Sequence, residues 1–221
     1  MHEDARIRQG GVTDPETIAA APPGRARQAL KSQRTRDLLV ASAVSLIRRG
    51  GLATASAKRI AQDAGVTWGA AQHHFGSKEH VLEAVVAQSH ARFMARFAEM
   101  DAEQPLPERL RRFVELMWAH YRSDLYLATI EVIMAERAAG EVRLPSFEWP
   151  NPDHARLMSR VFGDCPVSDE ARLEALVFAH CLLTGLSIQG LLDGEAGRVD
   201  AHLRRCMAIM AGMLRLDRRP A

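Results

Sequence analysis

Between residues 56 and 79 the chain sets polar and basic side chains among small apolar ones, in the order Ser-Ala-Lys-Arg-Ile-Ala-Gln-Asp-Ala-Gly-Val-Thr-Trp-Gly-Ala-Ala-Gln-His-His-Phe-Gly-Ser-Lys-Glu. A helix, a glycine turn and a second helix would bury Ile60, Ala61, Ala64, Val66, Ala71 and Phe75. Lys58, Trp68, Gly69, Ala70, Gln72 and His73 would then face outward, as in a unit that offers its second helix to a DNA major groove. At Gly76-Ser77-Lys78-Glu79 a helix N-terminus and a lysine come together, so backbone amides and charge could hold one phosphate. The bland alternative is a surface hairpin of two helices with no partner.

Other residue sets point to bond-making or metal chemistry more weakly. Gly185-Leu186-Ser187-Ile188-Gln189 falls one residue short of a nucleophile elbow and has no strand before it. His202 and Cys206 lie one turn apart and could take a metal with His180 or Cys181, but no four ligands converge by spacing. His73 and His74 point about 100° apart on a helix and cannot chelate together. No catalytic constellation emerges; neither enzyme activity, a metal nor a cofactor is expected.

The elements that must position these residues are helices. Leu39/Val40, Ala43/Val44 and Leu46/Ile47 recur at helical spacing from about Ser32 and stop at Gly50-Gly51. Residues 57 to 64 and Thr67 to about His74 make two short helices, the second capped by Thr67. Ser77 caps a long helix to about residue 98 with its stripe at Leu82, Val85, Val86, Ser89, Phe93 and Phe97. Helices then follow near Leu110 to Tyr121, Asp124 to Ala138, Pro152 to Phe162, Asp169 to Leu192 and Arg198 to Leu216. Asn151-Pro152-Asp153 supplies a cap, a first-position proline and a first-turn acid. With no strand alternation the fold class is all-α, about nine helices.

Length and charge divide these helices into units. The 221 residues are 47% hydrophobic and 25% charged, which excludes disorder throughout and fits one large domain with a small one. Residues 25 to 78 hold ten Lys/Arg against Asp37 and Asp63. Residues 79 to 221 hold 17 basic against 21 acidic side chains, so a basic unit is joined to a mildly acidic body. Three divisions result: a flexible basic arm at 1–31, a helix-turn-helix domain at 32–78, and a ligand-binding and dimerising domain at 79–221. The first twenty residues lack the apolar run of a secretory signal, and Cys165, Cys181 and Cys206 form no disulfide framework, so a reducing cytoplasm is expected. Residues 175 to 192 carry no charge, yet His180, Thr184, Ser187, Gln189 and two glycines suit burial against a partner subunit better than lipid.

Ile60-Ala61-x-x-Ala64-Gly65-Val66-Thr67, then His74-Phe75-x-Ser77-Lys78-Glu79-x-Val81-Leu82, resembles the N-terminal domain of TetR-type transcriptional regulators over about residues 32 to 86. The resemblance implies a small DNA-binding domain on a larger helical domain that binds a ligand and dimerises. Carried over, it puts Trp68, Gly69, Ala70 and His73 over base edges, with Lys58 reaching from the preceding helix and Thr67 opening the reading helix. Gln72, Lys78 and Ser56 would hold phosphates; the family usually has tyrosine where Gln72 stands. Gly69 and Ala70 offer no side-chain hydrogen bond, so direct readout should be modest and rest partly on DNA shape. Arg25, Arg27, Lys31, Arg34 and Arg36 could follow the backbone or enter a minor groove as an arm.

The body should then supply a pocket and a twofold partner. Met117, Trp118, Tyr121, Met134, Phe147, Trp149 and Phe178, with His120, Glu131, His180, Cys181 and Thr184, are the candidate lining of a small-molecule pocket. Phe178, Leu182, Gly185, Leu192, Leu203, Met207, Met210 and Leu214 on the last two helices are the candidate homodimer seam. The expected partners are therefore a double-stranded DNA operator, a small-molecule effector and a second copy, with no membrane. Effector binding, transmitted by the helix from residue 77, would lower DNA affinity, making the protein a ligand-responsive regulator, in the repressor sense. The alternative is a helical small-molecule or metal-sensing module without sequence-specific DNA binding.

Overall fold

The computed structural model describes residues 23–140, 149–193 and 199–215. Among them are nine α-helices, one 3-10 turn and no strand. α1 spans Pro23–Gly50, α2 Ala57–Asp63, α3 Trp68–Phe75, α4 Lys78–Arg96 and α5 Leu106–Tyr121. α6 spans Asp124–Ala138, α7 Pro152–Phe162, α8 Asp169–Asp193 and α9 Val199–Met213. The 3-10 turn, Leu52–Thr54, has no periodic pattern to announce it.

α1 begins nine residues before the expected Ser32, so 23–31 are helical rather than part of an arm. Pro23 opens it, and the Arg, Gln, Ala, Leu and Lys that follow are good helix formers. Apolar periodicity could not reveal this stretch, because Arg27 to Leu30 are exposed and bury no stripe. The expected arm at 1–22 lies outside the described residues, as do Phe147, Gly194, Arg198 and Leu216.

Two apolar clusters hold the chain together. In the first, Leu39, Val40, Ala43 and Ile47 of α1 meet Ile60, Ala61, Ala71 and Phe75 of the helical pair, Val81 to Val86 of α4, and Leu125, Ala128, Val132 and Ile133 of α6. The unit expected to end at residue 78 is therefore not closed there: its core continues into α4 and α6. The second cluster joins Phe93, Phe97, Phe113, Met117 and Tyr121 to Leu157 to Phe162 of α7, Leu176 and Leu183 of α8, and Cys206, Met210 and Leu214 at the chain's end. Arg109, only 4% exposed, fastens α5 to the loop after α7 through paired 2.6 Å bonds to Asp164 and a 2.7 Å bond to the Val161 carbonyl.

Candidate nucleic-acid interface and effector cavity

Short helices need their ends fixed, and each here starts on a hydroxyl. Ser56 accepts from Arg59 N, Thr67 from Ala70 N and Ser77 from His80 N. Between them Gly65 and Gly76 take φ of 68° and 74°, a conformation that costs a side-chain-bearing residue free energy. Ser42 of α1 donates to the Ile60 carbonyl at 2.9 Å, within the core, and fixes α2. Arg36 donates to the His74 carbonyl at 2.8 Å and lies over the Phe75 ring at 4.3 Å, closing the C-terminal end of α3.

This frame leaves one face of α3 in solvent. Thr67, Trp68, Gly69, Gln72 and His73 are exposed, Ala70 is half-buried, and Lys58 and Ser56 stand exposed beside them. Lys78 is half-buried at the start of α4. A Cβ built on Gly69 meets nothing within 4 Å, so the protein's own packing does not ask for glycine there. His74 turns inward, its Nδ1 3.4 Å from Ser32 Oγ, so the two adjacent histidines part as the helical angle requires. Arg36, placed in the arm by the sequence reading, is a structural clamp on α3; its guanidinium is already engaged.

In the body, a cavity of about 30 Å³ lies among α4, α5, α6, α7 and α8. Val86, Ser89, His90, Phe93, His120, Tyr121, Tyr126, Thr129, Trp149, His154 and His180 line it. Burial holds three of the histidines neutral: it pushes His120 and His154 down to about 3 and His180 to about 4. Tyr121 O and His180 Nδ1 pair at 2.6 Å, as do Tyr126 O and Thr184 Oγ1.

Of the expected lining, Tyr121, Trp149, His180 and His120 meet at this cavity, and Thr184 stands one bond behind it. The others lie elsewhere. Met117 is core with no exposed surface, and Trp118 packs against that core. Met134 is 64% exposed, and Cys181 is exposed. Phe178 lines a shallow groove with Leu173, Val177 and Met213. The Glu131 carboxylate accepts from Leu52 N, clasping α6 to the turn after α1. Sequence reading passed over His90, Ser89, Tyr126, Thr129 and His154 as cavity residues; Phe93 had been read only as part of the α4 stripe. Their apolar or capping context in the sequence gave no sign that α4, α6 and α7 would turn them toward one point.

Two expected seam residues are corrected. Met210 and Leu214 have no exposed surface and belong to the chain's own core, so they are unavailable to a partner. Gly185 and Leu192 are exposed, and Leu182, Leu203 and Met207 are partly so. Ile188, Leu191 and Ile209, not singled out by sequence, add 36%, 49% and 47% exposed side chains. α8 is long and apolar enough to cross a membrane by length and composition, with mean hydropathy 1.7, yet only 28% of that window is buried in the single chain. Ser187 donates to the Thr184 carbonyl at 2.8 Å inside α8, so its hydroxyl is spent on the helix. Among the described residues no three His, Cys, Asp or Glu gather in a way that could hold a metal, and Cys206 is fully buried.

The architecture defines a helix-turn-helix protein with a helical body. Residues 39–85 match the family described as "Bacterial regulatory proteins, tetR family". The HTH-type transcriptional regulator UidR of Escherichia coli (strain K12) is 33% identical over 69 residues, 31% of this chain and 35% of that protein. The chain thus aligns with about a third of the length of that relative. A structure solved in work on control of antibiotic production by bacterial hormones superposes with TM-score 0.64 at 22% identity, over 81% of this chain and 97% of that one. The fatty acid degradation regulator FadR from Bacillus halodurans gives 0.60 at 16% identity, over 80% and 94%. These structural likenesses concern the fold and span both parts of the chain. Over residues 39–85, which include the helix-turn-helix, the chain is thus similar to the bacterial regulatory proteins of the tetR family.

Proposed function

We propose that the protein is a cytoplasmic, homodimeric DNA-binding transcriptional regulator, a repressor released from its operator when a small molecule enters the body; it is not an enzyme. The observation that carries this is the sharing of α4 and α6 between the two clusters. Val86 faces both the first core and the cavity. On α6, Leu125, Ala128 and Val132 pack under the helix-turn-helix, while Tyr126 and Thr129 line the cavity. At about 30 Å³ the cavity has room for about one water. A drug-sized molecule needs roughly 300 Å³ or more, so entry must move the walls, and those walls carry the DNA-binding unit. The expected lever on α4 thus gains a second on α6. A coupling of about 1–3 kcal/mol makes a useful switch.

In this reading Trp68, Gly69, Ala70 and His73 approach base edges with Lys58, while Gln72, Lys78 and Ser56 contact phosphates and Thr67 sets the helix start. The uncovered apolar side chains of α8 and α9 support a second copy as their cover, placing two α3 helices on half-sites about 34 Å apart. The solved TetR variant from Acinetobacter baumannii in complex with minocycline, TM-score 0.53 at 15% identity, shows that a related fold takes a small molecule. A gel shift on the DNA upstream of the protein's own gene, run at rising salt, tests the reading. Affinity should fall by about 0.9 log units per log unit of salt for each phosphate contacted. Indifference to salt, or a monomer by sedimentation, overturns it.

A further inference from the structure

The cavity carries two hydrogen-bond donors with nothing to donate to. The backbone N–H of Asn151 donates to His154 Nδ1 at 3.2 Å, so Nδ1 keeps its lone pair. The ring is neutral, and its single proton therefore sits on Nε2. His154 has no exposed surface, and its Nε2 has no partner. Trp149 packs its ring against His154 with centroids 3.8 Å apart, and its Nε1–H is also buried without a partner. Both residues line the same cavity. Buried N–H groups are almost always paired, so two such donors side by side call for an acceptor from outside the chain.

The rest of the wall narrows the choice. Among the described residues no lysine or arginine lines the cavity, so these walls offer an anion no fixed counter-charge. A cation would meet His120, His154 and His180, which burial holds uncharged. Several of the other polar groups on the wall are already paired: Tyr121 with His180, Tyr126 with Thr184, Thr129 with the Leu125 carbonyl, and His90 with Asp153 at 3.3 Å. Flat rings form much of the surface, with Trp149 and His180 tilted by 32° at 4.3 Å and Phe93 edge-on to His120.

Resting on the effector reading above, we propose that the cavity selects an uncharged, ring-bearing molecule with an acceptor oxygen, such as a ketone, ester or lactone, whose oxygen accepts from Trp149 Nε1 and His154 Nε2. Charge sets the class, and the unpaired donors set the group.

The test uses the full-length dimer and four probes of similar size: acetophenone, benzoate, benzylamine and ethylbenzene. The indole N–H resonance of Trp149 is identified by its loss in Trp149→Phe and followed in nitrogen-proton correlation spectra. Acetophenone should move it downfield and bind about tenfold more tightly than ethylbenzene, the contribution of about one added hydrogen bond. Benzoate and benzylamine should bind more weakly than acetophenone. Trp149→Phe, which leaves His154 as the one donor, should narrow that preference, whereas Trp118→Phe, away from the cavity, should leave the ratio unchanged. Equal binding of acetophenone and ethylbenzene, or preference for either ion, overturns the proposal while leaving the cavity a ligand site. If no probe moves the indole signal or weakens DNA binding, and a crystal shows one water bridging the two donors, the effector reading falls with it.

Discussion

The two ends of the molecule are built by different means. The helix-turn-helix is made of short helices that could not stand alone, fixed by Ser56, Thr67 and Ser77 caps, glycines in left-handed turns, and a core of small residues such as Ala43, Ala61 and Ala71. The body uses long helices around large rings, with Phe93, Phe97, Phe113, Tyr121 and Phe162 in edge and tilted contacts. A capped, small-residue unit holds one shape and presents a fixed outer face. An aromatic core around a barely open, neutral-histidine cavity has no charged anchor at its centre and can be re-formed around a guest. Under the proposed function, rigidity would serve the face that meets DNA and adaptability the cavity that takes a ligand.

That contrast can be broken most severely in the body. Phe113 has no exposed surface and lies 4.8 Å from Phe97 and 5.2 Å from Phe162, so Phe113→Ala should cost about 3–5 kcal/mol in urea unfolding. An effect near zero would mean that the aromatic core is already loosely packed.

Acid should also strike the body first. In the unfolded chain His120, His154 and His180 take up protons below pH about 6.5, while in the folded cavity they do so only at about 3 to 4. Their folded values are depressed, so their contribution to stability is complete above about pH 6.5 and is lost as pH falls toward 4. The slope is up to about 1.4 kcal/mol per pH unit for each histidine. Melting at pH 7 and 4.5 checks this, and His120→Phe should flatten the dependence.

Smaller changes sharpen the contrast at the DNA face. Trp68→Ala should alter sequence preference by about 1–3 kcal/mol at one position, while Lys78→Ala should weaken all duplexes alike and reduce the salt slope by about 1. Binding-site selection and salt titration separate the two. Neither should move the melting temperature much, since Trp68 is 43% exposed and Lys78 only half-buried. The smallest effect is expected from Gly69→Ala. The added methyl meets open space, so the helix should gain about 0.5–1 kcal/mol, with DNA affinity falling where the duplex approaches closely. A simultaneous gain in both would remove Gly69 from the interface.

The spans of α6 and α7 and the cap at Thr67 could be read from the chain alone because their causes are local: a hydroxyl or amide side chain at each start and, on α7, an apolar stripe through Leu157, Met158, Val161 and Phe162. The same holds for the outer face of α3, where solvent exposure follows from helical angle. The early start of α1 escaped because exposed good helix formers leave no periodic trace.

What no local pattern carried was which apolar residue meets which. Met210 and Leu214 have the same spacing as seam residues, yet both are buried in the chain's own second cluster. His154 reads as a residue three past a cap, and only the crossing of α4, α7 and α8 brings it beside Trp149 and His180. Clasping α6 to the DNA-reading unit through Glu131 likewise joins groups 79 positions apart. Sequence determined the helices and the reading face, because hydrogen bonding and amphipathicity act within a few residues. Tertiary packing decided the cavity and the sharing of α4 and α6 between the two clusters, because burial depends on neighbours that the chain supplies from far away.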